Sequence, residues 1–234
     1  MKAFLLAAGH GTRLRPITNT IPKCLVPIRG IPLLSIWLEL CRKFGINEIL
    51  INIHAHAALV RDFLRENANG IRAQVVEEEE LRGSAGTLHH NRDWIAAEEL
   101  FWVFYADVLC QPDLGGMLEL HLRKRPAATL GVYEVADPSR CGIVSTDADG
   151  TIQQFVEKPT VPMGNLAFAG VMIATPEIID LIPDDRPADI GFDVLPRVTG
   201  RMQAYPINSY LIDIGTMENY QTAQNTWPGL SYSG

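Results

Sequence analysis

Short apolar runs alternate along the chain with segments of helical periodicity. The apolar runs predict five β-strands near residues 2–7, 48–53, 73–76, 101–105 and 129–135. Amphipathic stretches that carry apolar side chains on one helical face predict helices over residues 33–44, 57–66 and 113–125. Because strands alternate with helices, the pattern predicts an α/β fold with a mostly parallel central sheet, arranged as a Rossmann-like three-layer sandwich.

The pattern changes after residue 135. Residues 141–146 and 151–157 predict two strands around an Asp/Gly turn at residues 147–150, which indicates a small hairpin insertion. The remaining predicted elements are a strand at 167–174, short helices at 176–181 and 191–198, a strand at 210–214, and a helix capped by Thr216 that ends near residue 225. We therefore expect a single domain over residues 1–234, with one internal boundary near residue 136.

Composition excludes several classes of protein. The chain has 234 residues, 47% hydrophobic and 20% charged, with a formal charge of −7, which disfavours disorder. Its apolar runs fall well short of the roughly 20 residues of a membrane span, and its first residues do not resemble a secretory signal, so we expect a cytoplasmic protein without a membrane partner. Four cysteines without a C-x-x-C pair predict buried free thiols.

Positive charge is concentrated at the start of the chain. Residues 1–38 contain no acid, and they carry the cations Lys2, Arg13, Arg15, Lys23 and Arg29. A small basic segment on an acidic protein suits a compact polyanion such as a nucleotide better than a nucleic acid, which needs a broad basic face. Charge alone leaves open a solvated basic edge.

A glycine-containing loop follows the first predicted strand. Gly9 and Gly11 would let backbone N–H groups approach a phosphate there, at the edge of the sheet where ligands bind. Leu14 stands where the dinucleotide-binding fingerprint needs a third glycine, and the chain has no Gly-Lys pair for a P-loop. The prolines beyond the loop predict an extended segment along which Arg13, Arg15 and Lys23 reach a row of phosphates.

Two aspartates end predicted strands. Asp107 follows the apolar run at 101–106, and Asp213 lies in the run at 210–214. Carboxylates at strand ends face the ligand crevice of an α/β sheet, and Mg²⁺ prefers one or two of them together with phosphate oxygens. A turn or helix-entry role is the alternative for Asp107.

The motif Gly9-x-Gly11-Thr12-Arg13-Leu14-x-Pro16-x-Thr18, followed by Pro22-Lys23-x-Leu25-x-Pro27, resembles the signature of the sugar-1-phosphate nucleotidyltransferases, also called nucleoside-diphosphate-sugar pyrophosphorylases. Further similarities extend over nearly the whole chain. The resemblance implies the nucleotide-diphospho-sugar transferase fold. It also implies attack of a sugar 1-phosphate on the α-phosphorus of a nucleoside triphosphate (NTP), giving NDP-sugar and pyrophosphate with Mg²⁺.

The resemblance also implies roles for individual residues. Arg13 would bind the departing β- and γ-phosphates, Lys23 would stabilise charge at the α-phosphate, and these two with Asp107 and Lys158 would form the catalytic set. Asp107 and Asp213 would bind the metal. The nucleotide-binding residues implied are Leu6, Ala8, Gly9, Gly11, Thr12, Arg13, Lys23, Gly83 and Ser84.

The sequence Glu157-Lys158-Pro159 resembles the Glu-Lys-Pro motif of the same family. There Glu157 would accept hydrogen bonds from sugar hydroxyls and Lys158 would hold the sugar phosphate, with Gly142 and Gly170 in the same pocket. Pro159 favours an extended backbone at Lys158. Residues of about 1–135 would thus form the nucleotide-binding part, and about 136–234 the sugar-phosphate-binding part.

The sequence specifies the nucleobase of the NTP and the sugar of the sugar 1-phosphate less closely than the reaction class. The four acids at 77–80 are interpreted mostly as a solvated loop. The following Gly83-Ser84-Ala85-Gly86 opens a helix and resembles the base-recognition turn of guanylyltransferases for mannose or heptose phosphates, which favours GTP. Asp189-x-Gly191-Phe192 is similar to a segment near the sugar in mannose- and glucose-type members. Ala8 stands where many members of the family have a glycine, and Cys24 stands where many have a proline. Neither difference removes a charged group.

Other functions remain open at this point. A uridylyl- or thymidylyltransferase fits the same motifs. A glycosyltransferase that consumes NDP-sugars is disfavoured, because the chain reads Asp107-Val108-Leu109 where an Asp-x-Asp motif is usual. A non-catalytic nucleotide-sugar-binding regulator is also compatible with the family, although the charged catalytic residues are all retained. The oligomeric state is open, a homo-oligomer included.

Overall fold

A computed structural model describes residues 1–230. The strands are β1 (Lys2–Leu6), β2 (Pro27–Ile28), β3 (Ile31–Pro32), β4 (Glu48–Ile53), β5 (Arg72–Glu77), β6 (Phe101–Tyr105), β7 (Val108–Cys110), β8 (Ala128–Glu134), β9 (Gly142–Thr146), β10 (Ile152–Glu157), β11 (Leu166–Ala174), β12 (Met202–Pro206) and β13 (Leu211–Asp213). The α-helices are α1 (Leu33–Lys43), α2 (Ala57–Asn67), α3 (Gly83–His90), α4 (Arg92–Ile95), α5 (Leu114–Lys124) and α6 (Met217–Thr226).

The chain folds into two compact units that interleave along the sequence. The first unit comprises Met1–Leu81, Phe104–Pro112 and the chain from Ser209 onward, and the second comprises Arg82–Val103 and Asp113–Asn208. Residue 136 lies inside the second unit. The expected single domain over residues 1–234, with its two functional parts, stays a prediction.

The first unit contains a parallel sheet. β1 pairs with β4 and β4 with β5, with Leu6 opposite Asn52 and Asn52 opposite Val76. β4 is buried from Ile49 to Ile53, as expected for a parallel strand covered on both faces. α2 packs against β5, and on α1 the indole of Trp37 stacks on Phe104 with ring centroids 4.7 Å apart. These contacts give the unit an apolar core on which polar loops are mounted.

A short antiparallel ribbon completes the first unit. β13 pairs with β7, with Asp213 opposite Val108, and the N–H of Ile214 donates to the carbonyl of Asp107 at 2.8 Å. The sequence pattern predicted β13 but not β7, which has only three residues. The ribbon therefore brings together two segments that are about a hundred positions apart in the sequence.

The second unit contains a mixed sheet. β9 and β10 form the predicted hairpin, β11 pairs antiparallel with β9 and β8, and β12 runs parallel to β8. The hairpin turn is fixed by Asp147, whose carboxylate accepts the N–H groups of Asp149 and Thr151. The sequence pattern did not predict β12. The short helices predicted over residues 176–181 and 191–198 form 3₁₀ and π turns, which cover residues 176–181 and 190–198.

The α/β fold class predicted from the sequence is confirmed. Within residues 1–230, no helix is long and apolar enough to cross a bilayer. Cys24, Cys41 and Cys110 are buried and Cys141 is half-buried. Burial raises the pKa of the Cys24 and Cys41 thiols to about 12, which keeps both protonated and unreactive at neutral pH.

Candidate active site

A cavity of about 240 Å³ opens in the first unit beyond the end of β1. It is lined by Leu6, Ala7, Gly9, His10, Gly11, Thr12, Arg13, Lys23, Cys24, Ala106, Asp107 and Gly215. Most of the nucleotide-binding residues predicted in this unit thus lie around one cavity. Ala8 is buried and is not among the lining residues.

Residues 7–16, here called the N-terminal loop, and the chain that follows fold back on themselves. The predicted extended conformation is wrong, because 3₁₀ turns form at Thr12–Leu14, Ile17–Asn19 and Lys23–Leu25. The buried side chains of Leu14 and Cys24 anchor these turns to the core. As a result Arg13 and Lys23 reach the same cavity, whereas Arg15 is exposed and is not among its lining residues.

Gly11 lets the N-terminal loop bend. Its φ of 62° lies in the left-handed region, and its carbonyl accepts hydrogen bonds from the N–H of Leu14 at 2.9 Å and the hydroxyl of Thr18 at 2.7 Å. The carbonyl is thus directed into the protein. At Gly9, an added Cβ would find no atom within 4 Å, so the backbone there borders open space.

Four charged side chains converge beside this loop. The Lys23 ammonium lies 2.6 Å from Asp107 Oδ2 and 3.9 Å from Asp213 Oδ1. The lysine side chain is only 10% exposed, whereas the two carboxylates are 39% and 49% exposed. A Cβ added at Gly215 would lie 2.9 Å from either Asp213 carboxylate oxygen and 3.2 Å from a guanidinium nitrogen of Arg13. Gly215 thus leaves room for both Arg13 and Asp213.

The two carboxylates fit a divalent cation bound together with a substrate. No group of three or more His, Cys, Asp or Glu side chains suited to a metal lies within residues 1–230. Mg²⁺ does not need one, since it is usually held by one or two carboxylates plus substrate phosphates and waters. Asp107 and Asp213 are adjacent across the ribbon, face the same ammonium and are open to solvent, which satisfies that requirement.

A buried polar pair behind the N-terminal loop was missed. Asn52 in β4 accepts the N–H of Ala7 at 2.8 Å and donates to Glu78 at 3.1 Å. The solvated-loop interpretation of residues 77–80 holds for the exposed Glu79 and Glu80. Glu77 is exposed but ends β5, and the interpretation is wrong for Glu78, which is 2% exposed. The only sequence signal was a single polar residue within the apolar run of β4.

The second unit holds a cluster around Glu157, defined here as Glu157, Lys158, Gly142 and Gly191 and called the Glu157 cluster. Glu157 lies opposite Gly142 in the β9–β10 register, with its side chain 15% exposed. A Cβ at Gly142 or Gly191 would lie 2.6 or 2.3 Å from Glu157 Oε2. Burial raises the pKa of Glu157, and the positive charge of Lys158 offsets part of this rise.

Lys158 does not adopt the extended backbone predicted from Pro159. Its φ is 48°, in the left-handed region, while its N–H still bonds to the carbonyl of Cys141 at 2.9 Å. The turn carries the ammonium to 3.7 Å from Glu157 Oε1 and 5.5 Å from the ring centroid of the exposed Phe192. Gly170, with φ of 70°, lies in β11 where its register with β8 shifts.

The turn at Gly83 and Ser84 is held within the second unit. The Ser84 hydroxyl donates to Asp189 Oδ2 and accepts the N–H of Ile190, both at 2.8 Å. The carbonyl of Ala188 accepts the N–H groups of Ala85 and Gly86 in the first turn of α3, at 3.0 and 3.1 Å. A nucleobase contact for Gly83 or Ser84 therefore stays a prediction.

The nucleotidyl transferase family model matches residues 2–228. The chain belongs to this family, the sugar-1-phosphate nucleotidyltransferases, as the sequence resemblance predicted. Members generally use a divalent metal.

The curated relatives are named for different substrates. The chain is 31% identical to a probable mannose-1-phosphate guanylyltransferase 3 of Oryza sativa subsp. japonica over 95% of this chain and 63% of the relative. It is 34% identical to the UTP–glucose-1-phosphate uridylyltransferase of Synechocystis over 95% of this chain and 62% of that protein. The chain thus spans less than two thirds of these relatives.

Solved structures share the fold over nearly their whole length. HddC from Yersinia pseudotuberculosis superposes with a TM-score of 0.81 at 28% identity, covering 97% of this chain and 99% of that one. A UDP-glucose pyrophosphorylase complexed with UDP-glucose gives 0.85 at 26%, with 97% of each chain covered. A structure from Bacillus anthracis superposes with a TM-score of 0.88 at 22% identity over 100% of this chain and 98% of that one, which supports the fold alone.

Proposed function

We propose that this protein transfers a nucleotidyl group from an NTP to a sugar 1-phosphate. An oxygen of the sugar phosphate attacks the α-phosphorus, the bond from that phosphorus to the α,β-bridging oxygen breaks, and NDP-sugar and pyrophosphate result. The supporting observation is the convergence of Arg13, Lys23 and Asp107 on one cavity beside the N-terminal loop, with Asp213 next to them. Such transfer depends mainly on positioning and on fixed charge.

The cations of the first unit would serve the triphosphate. Arg13 is exposed at the cavity and carries a guanidinium that can bind two phosphate oxygens at once, which suits the departing pyrophosphate. Lys23 is nearly buried and held by carboxylates, so its ammonium is fixed in place to stabilise charge at the α-phosphate. Gly9 leaves space for the phosphates to approach the backbone.

Asp107 and Asp213 would hold a Mg²⁺ ion. When bound, the ion would supply positive charge next to the α-phosphate. The chain's own contribution is geometric: the β7–β13 ribbon fixes both carboxylates, and Lys23 balances their charge while no cation is bound.

The Glu157 cluster would serve the sugar 1-phosphate. Lys158 has an exposed ammonium, as a phosphate ligand requires, and Glu157 offers a carboxylate that can accept from sugar hydroxyls. Glycine at positions 142 and 191 lets the Glu157 carboxylate lie close against the backbone of both residues. The surrounding backbone therefore defines the position of the carboxylate. Gly170 is proposed as a further part of this pocket.

Within this function we favour GTP with mannose or heptose 1-phosphate. The support is the Gly83-Ser84-Ala85-Gly86 turn, the mannose-1-phosphate guanylyltransferase relatives, and the likeness to HddC, also solved as a complex with GMP-PN at 28% identity. A uridylyltransferase for glucose 1-phosphate is the second candidate, favoured by the 34% identity to the Synechocystis protein.

The test is release of pyrophosphate from each NTP with a panel of sugar 1-phosphates in the presence of Mg²⁺. We expect release with at least one pair, and the highest kcat/KM with GTP. Highest activity with UTP and glucose 1-phosphate would select the second candidate. If no pair of NTP and sugar 1-phosphate released pyrophosphate, the proposed enzymatic function would be contradicted, and a nucleotide-sugar-binding regulator would be favoured.

A further inference from the structure

A buried polar pair behind the N-terminal loop has no part in the chemistry described above. Asn52 is 4% exposed and Glu78 is 2% exposed, and neither is among the residues that line the cavity. Burying a carboxylate and an amide is costly unless both make hydrogen bonds, and both side chains do so here. Its contacts lead toward the phosphate-binding backbone.

The side chain of Asn52 provides the hydrogen bond that follows the last residue pair between β1 and β4. Leu6 is the last residue of β1 and lies opposite Asn52 in β4. The next N–H, that of Ala7, bonds at 2.8 Å to the side-chain oxygen of Asn52. The carboxamide therefore fixes the first residue of the N-terminal loop at the point where the ladder no longer does so.

Glu78 orients that carboxamide. The Asn52 amide nitrogen donates to Glu78 Oε1 at 3.1 Å, which directs the Asn52 oxygen toward Ala7. The N–H of Glu78 bonds to the carbonyl of Ile53 at 2.8 Å, so the acid is itself tied to the end of β4. A neutral apolar residue at either position could not set this direction.

A second route runs from Glu78 to the cavity through two histidine rings. The Glu78 carbonyl lies 2.8 Å from Nδ1 of His54. The His54 ring meets the His10 ring edge to face, with centroids 5.0 Å apart, and His10 lines the cavity. Glu78 thus supports the N-terminal loop both at Ala7 and at His10.

We infer that Asn52 and Glu78 are positioning residues that hold the N-terminal loop in the conformation that binds the triphosphate. The inference rests on the proposed function, because it names the NTP as the ligand of that loop. It predicts a selective effect: disturbing the pair weakens NTP binding and leaves sugar 1-phosphate binding unchanged. A merely structural pair would lower stability without that selectivity.

The experiment exchanges donor and acceptor within the pair. Asn52→Asp keeps an acceptor for Ala7 but sets two carboxylates against each other, whereas the double variant Asn52→Asp/Glu78→Gln restores one donor and one carboxylate. At pH 8 we expect the single variant to raise the KM for NTP about tenfold, the usual size for a disturbed buried hydrogen bond, with the KM for sugar 1-phosphate within about twofold. The double variant is expected within about threefold of wild type for NTP.

The matched control is Gln203→Glu, the same amide-to-acid change at a buried glutamine of the second unit that donates to the carbonyl of Asp149. It should lower the Tm and leave the KM for NTP unchanged. If Asn52→Asp behaved like this control, or if the double variant were as poor as the single one, the inference would be overturned.

Two further measurements cover other failures. Should Asn52→Asp not fold, Asn52→Ala removes the acceptor without adding charge, and a wild-type KM for NTP in that variant would contradict the inference. Equilibrium binding of GTP with Mg²⁺ gives the same comparison without turnover. If wild type releases no pyrophosphate, the proposed function fails, while the ratio of dissociation constants between Asn52→Asp and the double variant still decides the role of the pair.

Discussion

Gly9 of the N-terminal loop and three glycines of the second unit differ in what surrounds them. Gly9 borders open space, with no atom within 4 Å of an added Cβ, and lines the cavity. In the second unit, a Cβ at Gly83, Gly142 or Gly191 would come within 2.2 to 2.6 Å of protein atoms. The same residue type thus leaves room for a ligand in the first unit and for the protein's own carbonyl and carboxylate groups in the second.

Charge is arranged differently as well. In the first unit an almost buried ammonium is balanced by two half-exposed carboxylates, whereas in the second an almost buried carboxylate is accompanied by an exposed ammonium. The buried partner is the one that the fold fixes, and the exposed partner is the one that can exchange protein contacts for ligand contacts. This contrast predicts which substitutions affect turnover and which affect stability.

The largest effect is expected for Asp107→Asn. If Asp107 acts as proposed, loss of its carboxylate beside Lys23 should lower kcat by about 10²–10³, similar to the loss of other groups that stabilise transition-state charge. We expect the Tm of the variant to stay near that of wild type, because the Lys23 ammonium still has the Asp213 carboxylate as a charged partner. Pyrophosphate release measures kcat, and thermal denaturation measures the Tm. Asp62→Asn, an exposed change on α2, is the control. A large drop in Tm instead would favour a turn-stabilising role for Asp107.

Gly83→Ala should affect stability more than binding. The new Cβ would lie 2.2 Å from the Ala188 carbonyl oxygen at a φ of 78°, and the combined clash and strain should cost about 3 kcal/mol, or roughly 6–12 °C in Tm. Gly200→Ala shares the positive φ but meets no atom within 4 Å, so it isolates the strain and should cost about 1 kcal/mol. Equal losses in the two variants would show that the contact with Ala188 has no part.

Gly9→Ala is the complementary test in the first unit. An alanine meets no protein atom there, so the Tm should change by less than about 2 °C. If the open space is where the triphosphate lies, the methyl group should raise the KM for NTP roughly tenfold, since glycine permits close approach of the backbone to a ligand. Steady-state kinetics with NTP varied measure this. A wild-type KM would place the phosphates elsewhere.

The smallest effect concerns pH and Glu157. Burial raises its folded-state pKa above the unfolded value, so folding favours the protonated acid, and stability is lost as the pH rises from about 4.5 through the raised pKa. Glu157→Gln removes this loss and should stabilise the protein at pH 7 by up to about 1 kcal/mol, with no gain at pH 4. Urea denaturation at both pH values measures the difference. Equal stability at pH 7 would mean that Lys158 fully offsets the burial of the carboxylate.

Several regular elements were predicted well from the sequence. β4 and β6 begin and end where their apolar runs do, and α1 differs by one residue from its prediction. Local periodicity was sufficient there, because these elements bury a continuous apolar face. β7 was missed because its three residues carry no period of their own, and it is a strand only because β13 pairs with it.

Predictions about individual side chains depended more on contacts that the sequence does not display. Arg13, Lys23 and Asp107 were expected to act together, and they do line one cavity. The expected means, an extended proline-rich segment, was wrong, since burial of Leu14 and Cys24 turns the chain back. Lys158 was expected to be extended, but its main-chain bond to Cys141 accompanies a left-handed turn.

The amino-acid sequence by itself determined the α/β class, the family and the charged residue types available for catalysis, because these follow from local pattern and from motifs contiguous in the chain. Only the tertiary structure decided that Asp213 lies beside Asp107, that Glu78 is buried while its neighbours are exposed, and that Gly9 borders open space. Each of these depends on which distant segments pack together, and the free energy of that packing is a property of the whole fold.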